Sequence, residues 1–151
     1  MRLTRYTDYA IRVLIYLGLQ GSDRLVSIKE IADIYQISNN HLIKIVHELG
    51  KLGLVETVRG RGGGIRLARN PEEICLGWVI RQTEEDFNLV ECFDSEKSAC
   101  LLSPSCQLKG VLSQAVDAFL SVLDRYTLAD IMRNKKEISS LINKEGSYET
   151  I

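Results

Sequence analysis

Three of the chain's four cysteines fall in one stretch, Cys92 to Cys106, which reads Cys-Phe-Asp-Ser-Glu-Lys-Ser-Ala-Cys-Leu-Leu-Ser-Pro-Ser-Cys. Seven residues separate Cys92 from Cys100, and five separate Cys100 from Cys106. In a loop, that spacing lets three sulfurs meet at one point without straining the backbone. Thiolates are soft ligands that select iron–sulfur clusters, zinc or copper(I) over hard cations. Ser103-Pro104 reads as an N-cap and a first-turn proline, which would place Cys106 where a helix's unpaired amides favour negative charge. No His or Cys follows Cys106, so the fourth ligand is not visible in this stretch. Structural zinc closes its shell with tight Cys-x-x-Cys pairs, and none is present. An iron–sulfur cluster with one non-thiolate ligand fits better. Cys75, between Ile74 and Leu76, reads as core rather than ligand.

The length allows one domain, or one small domain plus an appended helix, to position this loop. At 151 residues, 45% apolar and 26% charged, the chain has the composition of a soluble globular protein with a real core. No apolar run is long enough to span a membrane, and Met1-Arg2-Leu3-Thr4 opens no signal-peptide core, so a cytoplasmic location is expected. Cysteines there serve metal or redox chemistry more often than disulfides. Residues 1–70 carry eleven Lys and Arg against six Asp and Glu, and residues 71–151 carry eight against fourteen. A basic front half is the electrostatic footprint of a nucleic-acid module.

The front half also has the right pattern. Residues 5–19 predict a helix with Tyr9, Ala10, Val13, Leu14 and Leu17 on one face, and with Asp8 and Arg12 four apart on the other. Ser27 and Glu30 form a capping-box pattern before a short helix that buries Ile28, Ile31, Ala32 and Tyr35. Ser38 caps a third helix at once, over residues 39–51, burying Leu42, Ile45, Val46, Leu49 and Leu52, with Gly53 as the stop. This is a helix-turn-helix. The N-terminal residues of its second helix would read bases and phosphates: Ser38, Asn39, Asn40, His41 and Lys44.

Two β-branched runs, Leu54 to Val58 and Ile65 to Ala68, flank Arg59-Gly60-Arg61-Gly62-Gly63-Gly64 and predict a hairpin. Arg59 and Arg61, with Gly62 and Gly63 allowing close approach, suit a wing on the minor groove or its phosphates. A nucleotide-cradling loop would need a helix to follow, and a second strand follows instead. Leu76 to Thr83 predicts a helix with Trp78 and Val79 inward. Pro104 to Tyr126 predicts a long one, whose wide apolar stripe suits a two-fold dimer. Thr127 to Asp130 restarts with its own cap and turns Ile131 inward, and a polar tail expected to fray follows Arg133. The fold class is mainly α with a small β-hairpin: a winged helix-turn-helix plus a long dimerisation helix. The expected divisions are 1–75 for DNA binding, 76–107 for a connecting helix and the cysteine loop, 108–133 for dimerisation, and 134–151 for the tail.

The layout over residues 1–133 resembles the small winged-helix, iron–sulfur regulators of the IscR and NsrR superfamily. Met1 to Ala10, Ile37 to Leu42, Val58 to Gly64 and the three-cysteine loop carry the likeness. Asn88 to Cys92 and Tyr126 to Asp130 narrow it to the Bacillus-type NsrR group, the nitric-oxide-sensing repressors. IscR-type members place a ligating His three residues after the last cysteine, where this chain has Lys109. The resemblance implies a [4Fe–4S] cluster, with [2Fe–2S] as the alternative, held by Cys92, Cys100, Cys106 and a carboxylate from the partner subunit. The matching position is Asp8, with Arg12 one turn along to orient it. It further implies a homodimer on a two-fold DNA operator, released when nitric oxide attacks the cluster.

The alternative within the superfamily is a cluster-free regulator that answers thiol redox, a small molecule or a partner protein. An enzyme with a cysteine nucleophile would need a base nearby, and the chain's two histidines, His41 and His47, sit on the helix-turn-helix. No enzymatic activity is expected.

Overall fold

Helix α1 (Arg5–Gln20) begins at Thr4, whose hydroxyl accepts from the Thr7 amide at 3.3 Å. The computed structural model describes residues 2–94, 96 and 98–145. On α1, Ala10, Val13, Leu14 and Leu17 are at most 1% exposed, so the expected stripe is the buried one. Tyr9 only flanks it, half-buried.

Helix α2 (Ile28–Tyr35) starts at Ser27, whose hydroxyl accepts from the Glu30 amide at 3.1 Å. The reciprocal half of the expected capping box is not made. The Glu30 carboxylate accepts from the Tyr16 phenol at 2.6 Å and from the Arg24 guanidinium at 2.8 Å instead. A charged partner and the phenol of the buried Tyr16 outcompete one backbone amide. Burial, and then the bond to Glu30, push the Tyr16 phenol up to about 12.

Gln36 turns the chain in the left-handed region (φ 51°), and α3 (Asn39–Lys51) follows after Ser38. Leu42, Ile45, Val46 and Leu49 are at most 3% exposed. Leu52, expected among them, lies just past the helix and is half-buried, and Gly53 (φ 68°) ends the turn. Strands β1 (Val55–Val58) and β2 (Gly64–Leu67) pair antiparallel, from Val55 opposite Leu67 to Val58 opposite Gly64. Ile65 also exchanges both backbone hydrogen bonds with Val26, at 2.9 and 2.8 Å. The wing is thereby anchored to the segment that leads into α2.

Helix α4 (Leu76–Thr83) buries Leu76, Val79 and Ile80. Trp78 was expected inward, but it is 37% exposed and stacks under the Arg69 guanidinium, 5.9 Å from the ring centre. It sits about 100° around the helix from Val79, beyond the edge of the buried stripe.

Helix α5 (Gln107–Leu123) is shorter than the expected span. Pro104 belongs to a separate 3₁₀ turn over Ser103–Ser105, and the backbone becomes extended at Cys106 (φ −77°, ψ 110°). Cys106 is therefore the N-cap residue and not part of the first turn. Past α5, Asp124 accepts both guanidinium nitrogens of Arg81, at 2.5 and 2.8 Å, which clamps α5 to α4. Gly77 faces this pair so closely that any side chain there would collide with the Asp124 carboxylate.

The chain then returns to pair Thr127 with Cys75. Helix α6 (Leu128–Ile131) has a complete capping box: the Thr127 amide donates to Asp130 at 2.8 Å, and the Asp130 amide donates to the Thr127 hydroxyl at 3.3 Å. Leu128 and Met132 carry it into the core, while Ile131 is only half-buried. Residues expected to form part of a polar tail instead make helix α7 (Lys135–Glu145), whose Ile142 packs against the core.

Gly64 gives this fold a sharp test. A side-chain carbon there would lie 2.7 Å from the Val26 carbonyl oxygen, against backbone that belongs to the anchoring bridge. Gly64→Ala should cost about 1–3 kcal/mol in urea unfolding, the usual range for overpacking. An unchanged midpoint would mean that the wing is not held by Val26.

Candidate DNA-reading face and cysteine loop

The N-terminal half of α3 lies outward. Ser38, Asn39, Asn40, His41 and Lys44 are all exposed, while the opposite side of the helix is sealed into the core. Ser38 stands at the N-cap position, but its side chain makes no capping bond. It leaves the first amides of α3 unclaimed by a side chain, and those amides suit a phosphate. Two further residues share this face that the sequence analysis did not place there, Ile43 and His47, both exposed. The signal for Ile43 was available, since it falls out of phase with Leu42, Ile45, Val46 and Leu49.

Further along α3, Glu48 is spoken for by Lys51, at 2.7 Å, and by His47, at 3.3 Å. Its hydrogen bond to Lys51 holds its carboxyl below the usual range. Lys44 takes part in none of these pairs. On the wing, Gly60 (φ 100°) and Gly62 (φ 78°) adopt conformations open to glycine, and the Gly63 amide closes the tip onto the Gly60 carbonyl at 3.0 Å. Arg59 and Arg61 project from that tip, exposed. Arg66 is instead held across the strands by Glu56 at 2.9 Å. Free cations therefore sit on α3 and the wing tip, where a duplex would be gripped.

Asp8 and Arg12 come together as expected on α1. Arg12 donates to both carboxylate oxygens, at 3.2 and 2.9 Å, and the two side chains are 47% and 43% exposed. So exposed a pair is worth about 0–1 kcal/mol, so Asp8 can be drawn away cheaply. The Arg12 guanidinium also lies 5.9 Å from the ring centres of Tyr9 and Tyr35. Burial pushes the Tyr35 phenol up, and Arg12 beside it pulls the other way. Arg12 thus touches the last residue of α2, immediately before the turn into α3.

All four cysteines are free thiols. Cys92 is buried in a 3₁₀ turn over Glu91–Phe93, while Cys100 and Cys106 are half-buried. Cys75 points elsewhere, its sulfur donating to the Asp124 carbonyl at 3.6 Å, in keeping with a structural place. Lys109 donates to the Ser103 hydroxyl at 3.3 Å. Among the described residues no three His, Cys, Asp or Glu side chains stand together as a metal cage, so the sulfurs do not converge within the single chain. The donor set still fits an iron–sulfur cluster in kind, with three unpaired soft sulfurs in one segment and no hard-cation cage beside them. The Glu84 carboxylate, at the end of α4, accepts from the Thr4 amide at 2.8 Å and the Thr4 hydroxyl at 3.0 Å. It ties the chain entering the cysteine segment to the start of α1. The groove beside that contact, about 590 Å³ between residues 2–4, 84–89 and Phe119, is lined by no cysteine and no residue of α3.

On α5, Val116 and Leu120 are buried against the chain's own body, while Leu108, Val111 and Val122 are 62%, 60% and 44% exposed. The wide stripe thus divides into a face used within the chain and a face left over.

Comparison with known proteins agrees with this geometry. The chain is 60% identical over 143 residues to the HTH-type transcriptional regulator NsrR of Bacillus licheniformis, covering 95% of this chain and all of that one. It is 56% identical over 142 residues to the NsrR of Bacillus subtilis, covering 94% and 97%. Among solved structures it superposes on T. potens IscR with a TM-score of 0.72 at 28% identity, over 91% and 90% of the two chains. The oxidized form of Staphylococcus aureus CymR gives 0.70 at 26% identity, over 88% and 97%. Residues 3–134 match the Rrf2 family, described as iron-dependent transcriptional regulators, and the chain belongs to that family.

Proposed function

We propose that the chain is a cytoplasmic DNA-binding repressor that acts as a homodimer on a two-fold operator and senses nitric oxide through a [4Fe–4S] cluster. The observation that carries this reading is the pairing, in one chain, of an exposed helix-turn-helix face with three free thiols in the segment that leads into α5. Cys92, Cys100 and Cys106 would hold the cluster together with the partner's Asp8. When bound, it supplies an iron with one weak, hard oxygen ligand, the position most open to nitric oxide. The exposed Leu108, Val111 and Val122 supply a face for the second copy.

The chain's own residues carry the consequence. Asp8 is shared between two uses, the exposed pair with Arg12 and a ligand position across the dimer. When Asp8 is withdrawn, Arg12 keeps Tyr35 as a neighbour, and Tyr35 abuts the Gln36 turn that sets the start of α3. Glu84 supplies a second connection, from the cysteine segment to Thr4 at the head of the same helix. The two states need differ by only about 1–3 kcal/mol in operator affinity for such coupling to regulate.

Asp8→Ala tests the shared carboxylate. The variant should remain a cluster-binding dimer, with an altered visible spectrum and a changed loss of operator binding on titration with nitric oxide under anaerobic conditions. A spectrum and a DNA response matching the unaltered protein would overturn the role of Asp8. Colourless protein that stays iron-free after anaerobic reconstitution, yet binds its operator, would return the cysteines to thiol chemistry.

Lys44→Ala and Arg61→Ala test the grip on phosphate. Each should weaken binding to all duplexes alike, and each should lower the slope of log affinity against log salt by about 1. Anisotropy titrations at several salt concentrations give both quantities, and an unchanged slope would remove that residue from the interface.

A further inference from the structure

Ile43 is 47% exposed, on the outward side of α3 and next to the buried Val46. A single exposed aliphatic side chain is ordinary on a protein surface, so its surroundings matter more than its exposure. Residues three and four positions away on a helix are its neighbours. For Ile43 these are Asn39, Asn40 and His47, all exposed, and Val46, which belongs to the core. The core side of α3 is complete without it, since Leu42, Ile45, Val46 and Leu49 already fill that side. The other large apolar side chains exposed among the described residues, such as Leu101, Leu108 and Val111, lie outside the helix-turn-helix. Ile43 is therefore not the edge of the face left over on α5. It is one aliphatic group with polar side chains on its outward flank, Asn39, Asn40 and His47, and Val46 behind it.

We propose that Ile43 determines sequence specificity by packing on the 5-methyl group of a thymine in the major groove. The inference rests on the reading of α3 as the recognition helix. On the major-groove edge of the four base pairs, the thymine methyl is the apolar feature, and every other distinguishing group is a hydrogen-bond donor or acceptor. A branched aliphatic side chain can gain nothing from those polar groups and loses hydration against them. Asn40, one turn earlier on the same face, has the side chain suited to the N6 and N7 edge of adenine. Asn40 and Ile43 together would read a short A·T-containing step, Asn40 through a polar edge and Ile43 through a methyl.

The test removes the methyl from the DNA as well as from the protein. Duplexes are selected from a randomised pool with the full-length, anaerobically prepared protein, and each thymine of the selected site is then replaced in turn by deoxyuridine. That change keeps base pairing and deletes only the methyl. One thymine per half-site should prove sensitive, with affinity falling about four- to fifteenfold, the scale of burying one or two carbon groups. Ile43→Ala should weaken binding to the thymine duplex by a similar factor and then be indifferent to the exchange. Its far-ultraviolet dichroism and its affinity for non-specific duplex should stay unchanged, because the residue lies outside the core. Equal sensitivity in both proteins, or no sensitive thymine in a well-defined site, would overturn the role of Ile43 and leave the recognition helix intact. A pool that yields no preferred sequence would overturn the recognition-helix reading, and this inference with it.

Discussion

The burial of one side of α1 is the constraint on which the other elements rest. Ala10, Val13, Leu14 and Leu17 have almost no exposed surface, and α3, β2, α4 and α6 all pack on this helix. A close-packed interior transmits displacement instead of absorbing it. Whatever pulls on the exposed end of α1 therefore acts at once on the reading helix, on the wing and on the body that carries α5. Asp8 and Thr4 lie at that end, and each has a partner that a regulatory event could take away: Arg12 for one and Glu84 for the other.

Two kinds of contact meet here with different costs. The apolar contacts under α1 are expensive to break, because each leaves a void. The polar contacts above it are exposed and cheap to exchange. This division suits a regulator, since the polar contacts can be exchanged while the apolar packing keeps its shape. It also gives Arg12 its place, between a carboxylate that can leave and an aromatic ring that stays.

Periodicity made the helices and the hairpin legible in the sequence, since burial of one stripe decides where such elements form. The turn between α2 and α3, the glycines of the wing and the Thr127–Asp130 cap were legible for the same local reason. Tertiary competition accounts for what was not. Nothing near Ser27 reveals that Glu30 will be claimed by Tyr16 and Arg24, fourteen and six residues away. Pro104 is compatible with a first helical turn and equally with the separate 3₁₀ turn it occupies. Trp78 looked like core because of its size, yet it covers Arg69 at the margin. The polar run from Lys135 hides a helix held by a few apolar contacts, Ile142 among them. The type and spacing of the cysteines suggested ligands, while among the described residues the three sulfurs are not gathered into a cage.

The clamp between Arg81 and Asp124, with Gly77 beneath it, sets the direction in which α5 leaves the body. Seventeen residues at 1.5 Å each make α5 a rod of about 25 Å. An angular error of about 5° at its root would displace the far end by about 2 Å over that length. Were two copies to pair through α5, as proposed above, the same error would enter once from each copy. Half-sites on B-DNA repeat at about 34 Å, which leaves little tolerance for such drift. The bidentate pair and the missing side chain at residue 77 work like a locked joint that fixes where α5 points.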